Sequence, residues 1–241
     1  MNDLNLVKTL EKSRLTVFTT QQLSAILGND ISSTAVRLNR LVKKGVLIRI
    51  IQGKYILPSA DVLSVASNIY SPSYVSLYSA FEYYKTTTQS PRVVDVINTI
   101  TSKQRTISLE EGEFILRFVK TTPYLMFGYK KHIINGKELI IVEKEKAILD
   151  GLHFSTYVPL DEVYSCLQSG IDQKKIITYA KKIHHQSIYK RLGYLLSQAQ
   201  IPCSRSQFPP LSSTYISLDP LLPRRGTYDN TWRIIINTVV E

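Results

Sequence analysis

Residues 32–45, SSTAVRLNRLVKKG, constrain this chain more than any other stretch. Ala35, Leu38, Leu41 and Val42 recur at helical spacing and make one apolar stripe. Ser33, Arg37, Arg40 and Lys44 fall on the opposite side, with Val36 and Lys43 near them. Ser32 or Ser33 is the expected N-cap, and Gly45 ends the helix at about Lys44. A helix packed by one stripe and basic on the other side suits the major groove of a duplex, where arginine reaches both base edges and phosphates.

The flanking sequence fits that helix. Leu4, Leu6, Val7 and Leu10 predict a first helix over about 3–14. Residues 16–19 are β-branched and aromatic and form a short strand or extended link. Thr19 or Thr20 caps a second helix to Leu27, with Leu23, Ile26 and Leu27 inward and Gly28 ending it. After Gly45, residues 46–51 and 55–57 are two strands joined at Gln52-Gly53-Lys54. Helix, link, helix, turn, basic helix and hairpin, in that order, describe a winged helix-turn-helix over residues 1–60, with the hairpin as the wing. Arg37 and Arg40 are the expected base-edge contacts. Ser33, Lys43, Lys44, Arg49, Gln52 and Lys54 are the expected phosphate or wing contacts, and Thr34 and Val36 complete the set at the DNA surface.

Charge points the same way. The chain carries a formal +11, and residues 1–60 hold nine Lys/Arg against three acids, a net +6. Residues 61–241 hold the other 21 basic and 16 acidic residues, a net +5 in three quarters of the length. A field concentrated in this way attracts a polyanion, and double-stranded DNA is the expected one.

Beyond a short junction at residues 59–61, strands and helices alternate irregularly. The expected class is therefore α+β, a winged helix-turn-helix followed by a larger mixed domain over 61–241. Helices are predicted over 62–69 and 74–84, the second with Pro72 in its first turn. Tyr74, Tyr78 and Phe81, at i, i+4 and i+7, read as core. Strands are predicted over 92–99, 105–108, 114–120, 129–134 and 139–142, the last two joined through Asn135-Gly136. Helices follow over 144–152, 160–167, 173–183 and 188–198, then a proline-rich loop, and residues 232–240 close the chain as a strand.

Several chemistries lack their residues. There is no GxxxxGK[ST], GxGxxG or HExxH. His184 and His185 are adjacent, and neighbours on a helix point about 100° apart, so they make no two-ligand face. Ser187 reads as a helix cap despite its SxxK context, and Asp172, in the sole acid-x-Lys pattern, reads as another. Glu143, Glu145 and Asp150 sit around a helix start, where acids meet the positive end of the helix dipole. Cys166 and Cys203 offer neither a disulfide framework nor a zinc site. The N-terminus lacks the apolar run of a signal peptide, and no stretch is apolar enough to span a bilayer. The expectation is a cytoplasmic, non-enzymatic protein without cofactor, metal site or membrane association.

Five segments resemble the AbiEi-like antitoxins of bacterial and archaeal type IV toxin–antitoxin (abortive infection) systems. FTTQQLSAILGNDISSTAVRLNRLVKKGVLIRIIQGKYIL is similar to their winged-helix region, and YVSLYSAFEYY to the helix after the wing. VEKEKAILDGL is similar to their Glu-Lys-Ala-(Ile/Leu)-Leu-Asp helix start, while YKRLGYLL and WRIIIN resemble a late helix and the final strand. Residues 202–227 match nothing in that pattern. The resemblance implies two jobs: repression of the chain's own operon through upstream DNA repeats, and neutralisation of a cognate nucleotidyltransferase-type toxin. Two alternatives stay open on the residues alone, a regulator whose C-terminal domain senses a small effector and a metal-dependent nuclease.

Overall fold

The computed structural model describes residues 2–87 and 92–240. Contacts divide the chain into two compact units, Met1–Val75 with Pro91–Ile141, and Ser76–Ser90 with Val142–Glu241.

In the first unit, local signals place each early element. Helix α1 (Asp3–Lys12) starts where the Asn2 side chain accepts the Asn5 N–H at 2.8 Å. Strand β1 (Phe18–Thr19) runs directly into α2 (Thr20–Leu27), which opens on a reciprocal cap. Thr19 Oγ1 accepts the Gln22 N–H, and Gln22 Oε1 accepts the Thr19 N–H. Gly28, at φ +67°, ends α2 in the left-handed conformation that glycine tolerates. Helix α3 (Ile31–Lys43) is capped by Asp30, whose Oδ1 accepts the Ser33 N–H at 2.9 Å. The cap is therefore one turn earlier than Ser33, because Ser33 supplies the donor that a capping side chain satisfies. Strands β2 (Ile48–Ile51) and β3 (Lys54–Ile56) complete a three-stranded sheet in the order β1-β3-β2. Leu6, Leu10, Phe18, Leu23, Leu38, Leu41, Leu47 and Tyr55 share one core beneath it. This is the winged helix-turn-helix that the sequence predicts.

Helix α4 (Val62–Asn68) follows, capped by Asp61 onto the Ser64 N–H. Six strands then form one mixed sheet: β4 (Ser73–Val75), β5 (Val93–Asn98), β6 (Gln104–Leu109), β7 (Gly112–Lys120), β8 (Tyr129–Ile134) and β9 (Lys137–Val142), in the order β6-β7-β5-β4-β9-β8. Asn135 and Gly136, both at positive φ, make the two-residue turn between β8 and β9. Asp95 and Arg117, register partners across β5 and β7, form a two-pronged ion pair at 2.5 and 2.9 Å. Residues 73–75 are a strand instead of the start of a helix. Tyr74 and Val75 are buried between β5 and β9, and these long-range pairings override the local helical period. Pro72 accordingly precedes a strand and does not open a helix.

The winged helix and the β8–β9 hairpin are joined by a half-buried cation. Lys137 Nζ donates to the carbonyls of Leu10 at 2.9 Å, Ser13 at 2.8 Å and Leu15 at 3.4 Å. Leu10 is in the last turn of α1, where its carbonyl also accepts the Ser13 N–H, and Ser13 and Leu15 follow the helix end. The Glu138 N–H also donates to the Arg14 carbonyl. Burial pushes the Lys137 ammonium below its usual pKa, with Glu11 opposing.

The second unit packs helices around a charged centre. It contains α5 (Leu77–Tyr83), α6 (Lys144–His153), α7 (Leu160–Gln168), α8 (Gln173–Ile183) and α9 (Gln186–Gln198). Its small sheet is β10 (Ile216–Ser217), β11 (Thr227–Asp229) and β12 (Ile234–Ile236), ordered β10-β12-β11. The closing strand is much shorter than residues 232–240, because Trp232 caps into the core and only three residues find ladder partners. His185, not Ser187, is the N-cap residue of α9, and Ser187 Oγ meets His185 Nδ1 at 2.7 Å. Tyr78 and Phe81 are buried on α5, as their spacing predicts. Gly193 on α9 lies flat against Trp232, where an added Cβ would sit 2.2 Å from the indole ring.

Two substitutions test these packings. Gly193→Ala should destabilise by about 1–3 kcal/mol, since a Cβ would overlap an indole that is buried and hydrogen-bonded to Ser197. Lys137→Met, which keeps the stem but strips the donors from three carbonyls, should cost about 1–3 kcal/mol. Urea melts followed by circular dichroism check both, and unchanged midpoints would count against either packing.

Candidate nucleic-acid interface

The rotation of α3 decides which side chains a duplex could meet. Thr34, Leu38 and Leu41 are buried against the core. Successive residues turn by about 100°, so the stripe facing outward is Ser32, Val36, Asn39 and Lys43. All four are exposed, Val36 to 54%. Arg40 and Ser33 flank this stripe and are exposed too. The Asp30 carboxyl is held below its usual pKa by the Ser33 side chain and by backbone N–H groups at the helix start.

Arg37 and Lys44 lie on the flank nearer α1. Arg37 Nη2 is 3.5 Å from Asp3 Oδ1, and Lys44 Nζ is 3.0 Å from Asp3 Oδ2. The Lys44 ammonium, with Arg37 behind it, holds the Asp3 carboxyl below its usual value. Ser33, Arg37, Arg40 and Lys44 are thus a side stripe and not the face opposite the core.

The wing borders the other flank. Ile31, Ala35 and Asn39 of α3, residues 19–21 at the start of α2, and Arg49, Gln52 and Lys54 of the wing line an open groove of about 580 Å³. The wing turn is pinned, since the Thr20 N–H donates to the Gly53 carbonyl at 3.0 Å. Arg49 and Gln52 are exposed along the hairpin.

The expected DNA contacts therefore divide. Ser33, Val36, Arg40, Lys43, Arg49 and Gln52 are exposed around α3 and the wing, and Arg37 and Lys44 converge on one carboxylate. Thr34 is completely buried, with its hydroxyl unpartnered inside the domain, out of reach of a duplex. Lys54 turns inward, and its Nζ donates to the Ile69 carbonyl at 2.5 Å. Ser32 and Asn39 are on the exposed stripe but were not among the expected contacts. Their signal was the i, i+4, i+7, i+11 spacing with Val36 and Lys43, which a search for basic residues passes over.

The acids of α6 have internal duties. Lys175 Nζ bridges Glu143 at 3.1 Å and Glu145 at 3.2 Å. Glu145 also accepts the Asp172 N–H, and Tyr179 Oη donates to Glu143. Burial and that bond to Glu143 push the Tyr179 phenol up to about 12. Lys146, 1% exposed, pairs with Asp150 one turn on, and Asp150 also accepts from Ser76 Oγ at 2.8 Å. Asp150 thus lies deep in the helix body and not at its start. Both cysteines are free thiols, and burial pushes each up to about 11. Among the described residues no three His, Cys, Asp or Glu side chains are grouped to hold a metal ion. Among them, too, no helix is long and apolar enough to cross a membrane.

Arg40→Ala should cost about 1–3 kcal/mol on a preferred duplex and relax its sequence preference, whereas Thr34→Val should leave binding unchanged. Gel shifts on base-substituted duplexes separate the two outcomes.

Comparison with known proteins follows this geometry. Residues 5–58 match the family described as "Transcriptional regulator, AbiEi antitoxin". No curated protein matches the chain. Among solved structures, the crystal structure of the RV2827C protein from Mycobacterium tuberculosis is similar, with a TM-score of 0.62 at 12% identity, covering 95% of this chain and 89% of its own. At that identity the likeness speaks for the fold alone.

Proposed function

We propose that this chain is a DNA-binding transcriptional regulator and the autoregulating antitoxin of a type IV toxin–antitoxin system. Residues 1–60 bind operator DNA, and residues 61–241 bind and neutralise a nucleotidyltransferase-type toxin in the cytoplasm. The observation that carries the reading is the outward stripe of α3, which includes Lys43 and is exposed beside Arg40, within the segment that matches the antitoxin regulators. The toxin half rests on that match and on the resemblance of the later segments.

The mechanism is occupancy and needs no bond chemistry. The outward stripe and Arg40 read base edges in the major groove, and Arg49 and Gln52 reach the backbone or minor groove from the wing. The chain's own promoter is then covered. On the partner side, the protein masks the toxin without modifying it.

The DNA half predicts a strong salt dependence. Three cations on the α1-side flank of α3 and on the wing (Arg37, Lys44 and Arg49), at about 0.9 each, give a slope of log K against log salt of about −2.7. Gel-shift titration on the chain's upstream DNA at several salt concentrations measures it, and a slope near zero would refute the DNA reading. Co-expression with the product of the adjacent reading frame tests the other half. Restored growth is expected, and growth arrest that this protein leaves unrelieved would remove the antitoxin assignment while sparing the regulator.

A further inference from the structure

We infer that Arg37 and Lys44 form a site for one backbone phosphate of the duplex, which the chain fills with its own Asp3 carboxylate while no duplex is bound. The inference rests on the proposal that α3 enters the major groove, and it moves Arg37 from base reading to backbone binding.

Asp3 presents one oxygen to each cation, Oδ1 to the Arg37 guanidinium at 3.5 Å and Oδ2 to the Lys44 ammonium at 3.0 Å. A phosphodiester has the same equipment, two unbridged oxygens sharing one negative charge. The carboxylate therefore stands where such a group would fit. Arg37 and Lys44 are seven residues apart, two turns along one flank of α3. A helix lying in the major groove meets base edges with its outward stripe and the sugar–phosphate walls with its flanks. The outward stripe here is Ser32, Val36, Asn39 and Lys43, which leaves Arg37 facing a wall. The site is open, because the Lys44 side chain is 63% exposed and Asp3 38%, while Arg37 retains 26%.

Occupation by Asp3 has a consequence for affinity. An exposed ion pair is weak, so a phosphate can replace the carboxylate at small cost. That cost is the same for every sequence. Asp3 therefore lowers affinity for all duplexes alike and leaves discrimination to the outward stripe.

The test uses the full chain, a duplex selected from a random pool, and a scrambled duplex of equal length. Asp3→Asn should tighten binding to both by one common factor, up to about fivefold, the weight of an exposed ion pair. Arg37→Ala and Lys44→Ala should each weaken both duplexes alike and flatten the salt slope by about one unit. The Asp3→Asn gain should vanish in the Arg37→Ala/Lys44→Ala background. Glu11→Gln, which removes the same charge from the far end of α1, should not reproduce it, and thermal melts should show each variant folded. A loss on Arg37→Ala confined to the selected duplex would make Arg37 a base reader and overturn the site. A gain that persists without Arg37 and Lys44, or that Glu11→Gln reproduces, would reduce Asp3 to a remote charge and overturn it equally. Wild-type protein that holds neither duplex would remove the DNA reading itself, and the phosphate site with it.

Discussion

The rotational setting of α3 is the constraint on which the DNA-binding face depends. Leu38 and Leu41 are buried in a core shared with Leu6 and Leu10 of α1, Leu23 of α2 and Tyr55 of the wing. Burying each such side chain is worth about 1.5–3 kcal/mol, far more than any exposed charge on the same helix. The apolar contacts therefore fix the helix about its axis, and the charges take the positions left to them. Asn39 and Lys43 are turned to solvent, Arg37 is laid against α1, and Thr34 is enclosed. A one-residue change in that setting would exchange these roles.

The second unit holds two sets of charged side chains that answer one another. Removing one member of a buried ion pair leaves the other charge without solvation, which costs more than the pair contributes. Lys146, Asp150 and Ser76 form one such set, and Glu143, Glu145, Lys175 and Tyr179 another. These give structural roles to Glu143, Glu145, Lys146 and Asp150 of the VEKEKAILD segment. The YKRLGYLL and WRIIIN segments meet at Gly193 and Trp232.

Several elements were legible in the sequence because their causes are local. Thr19, Gly28, Asn135-Gly136 and Asp172 each act on backbone within four residues, and each forms the cap or turn that its chemistry suggests. Strand β4 was hidden because its three residues sit in a run with helical period, and partners from β5 and β9 decide otherwise. Strands β10 and β11 were hidden because two or three residues carry no period, and only pairing with β12 identifies them.

By itself the sequence determined that α3 has one apolar stripe and many cations, that a hairpin follows it, and that positive charge gathers in the first sixty residues. Tertiary structure alone decided which cations point where. Asp3 lies thirty-four residues before Arg37 and forty-one before Lys44, and only the packing of α1 beside α3 brings the three together. Helical spacing gives the angles between side chains on one helix, but the direction of those angles in space is set by what the helix packs against.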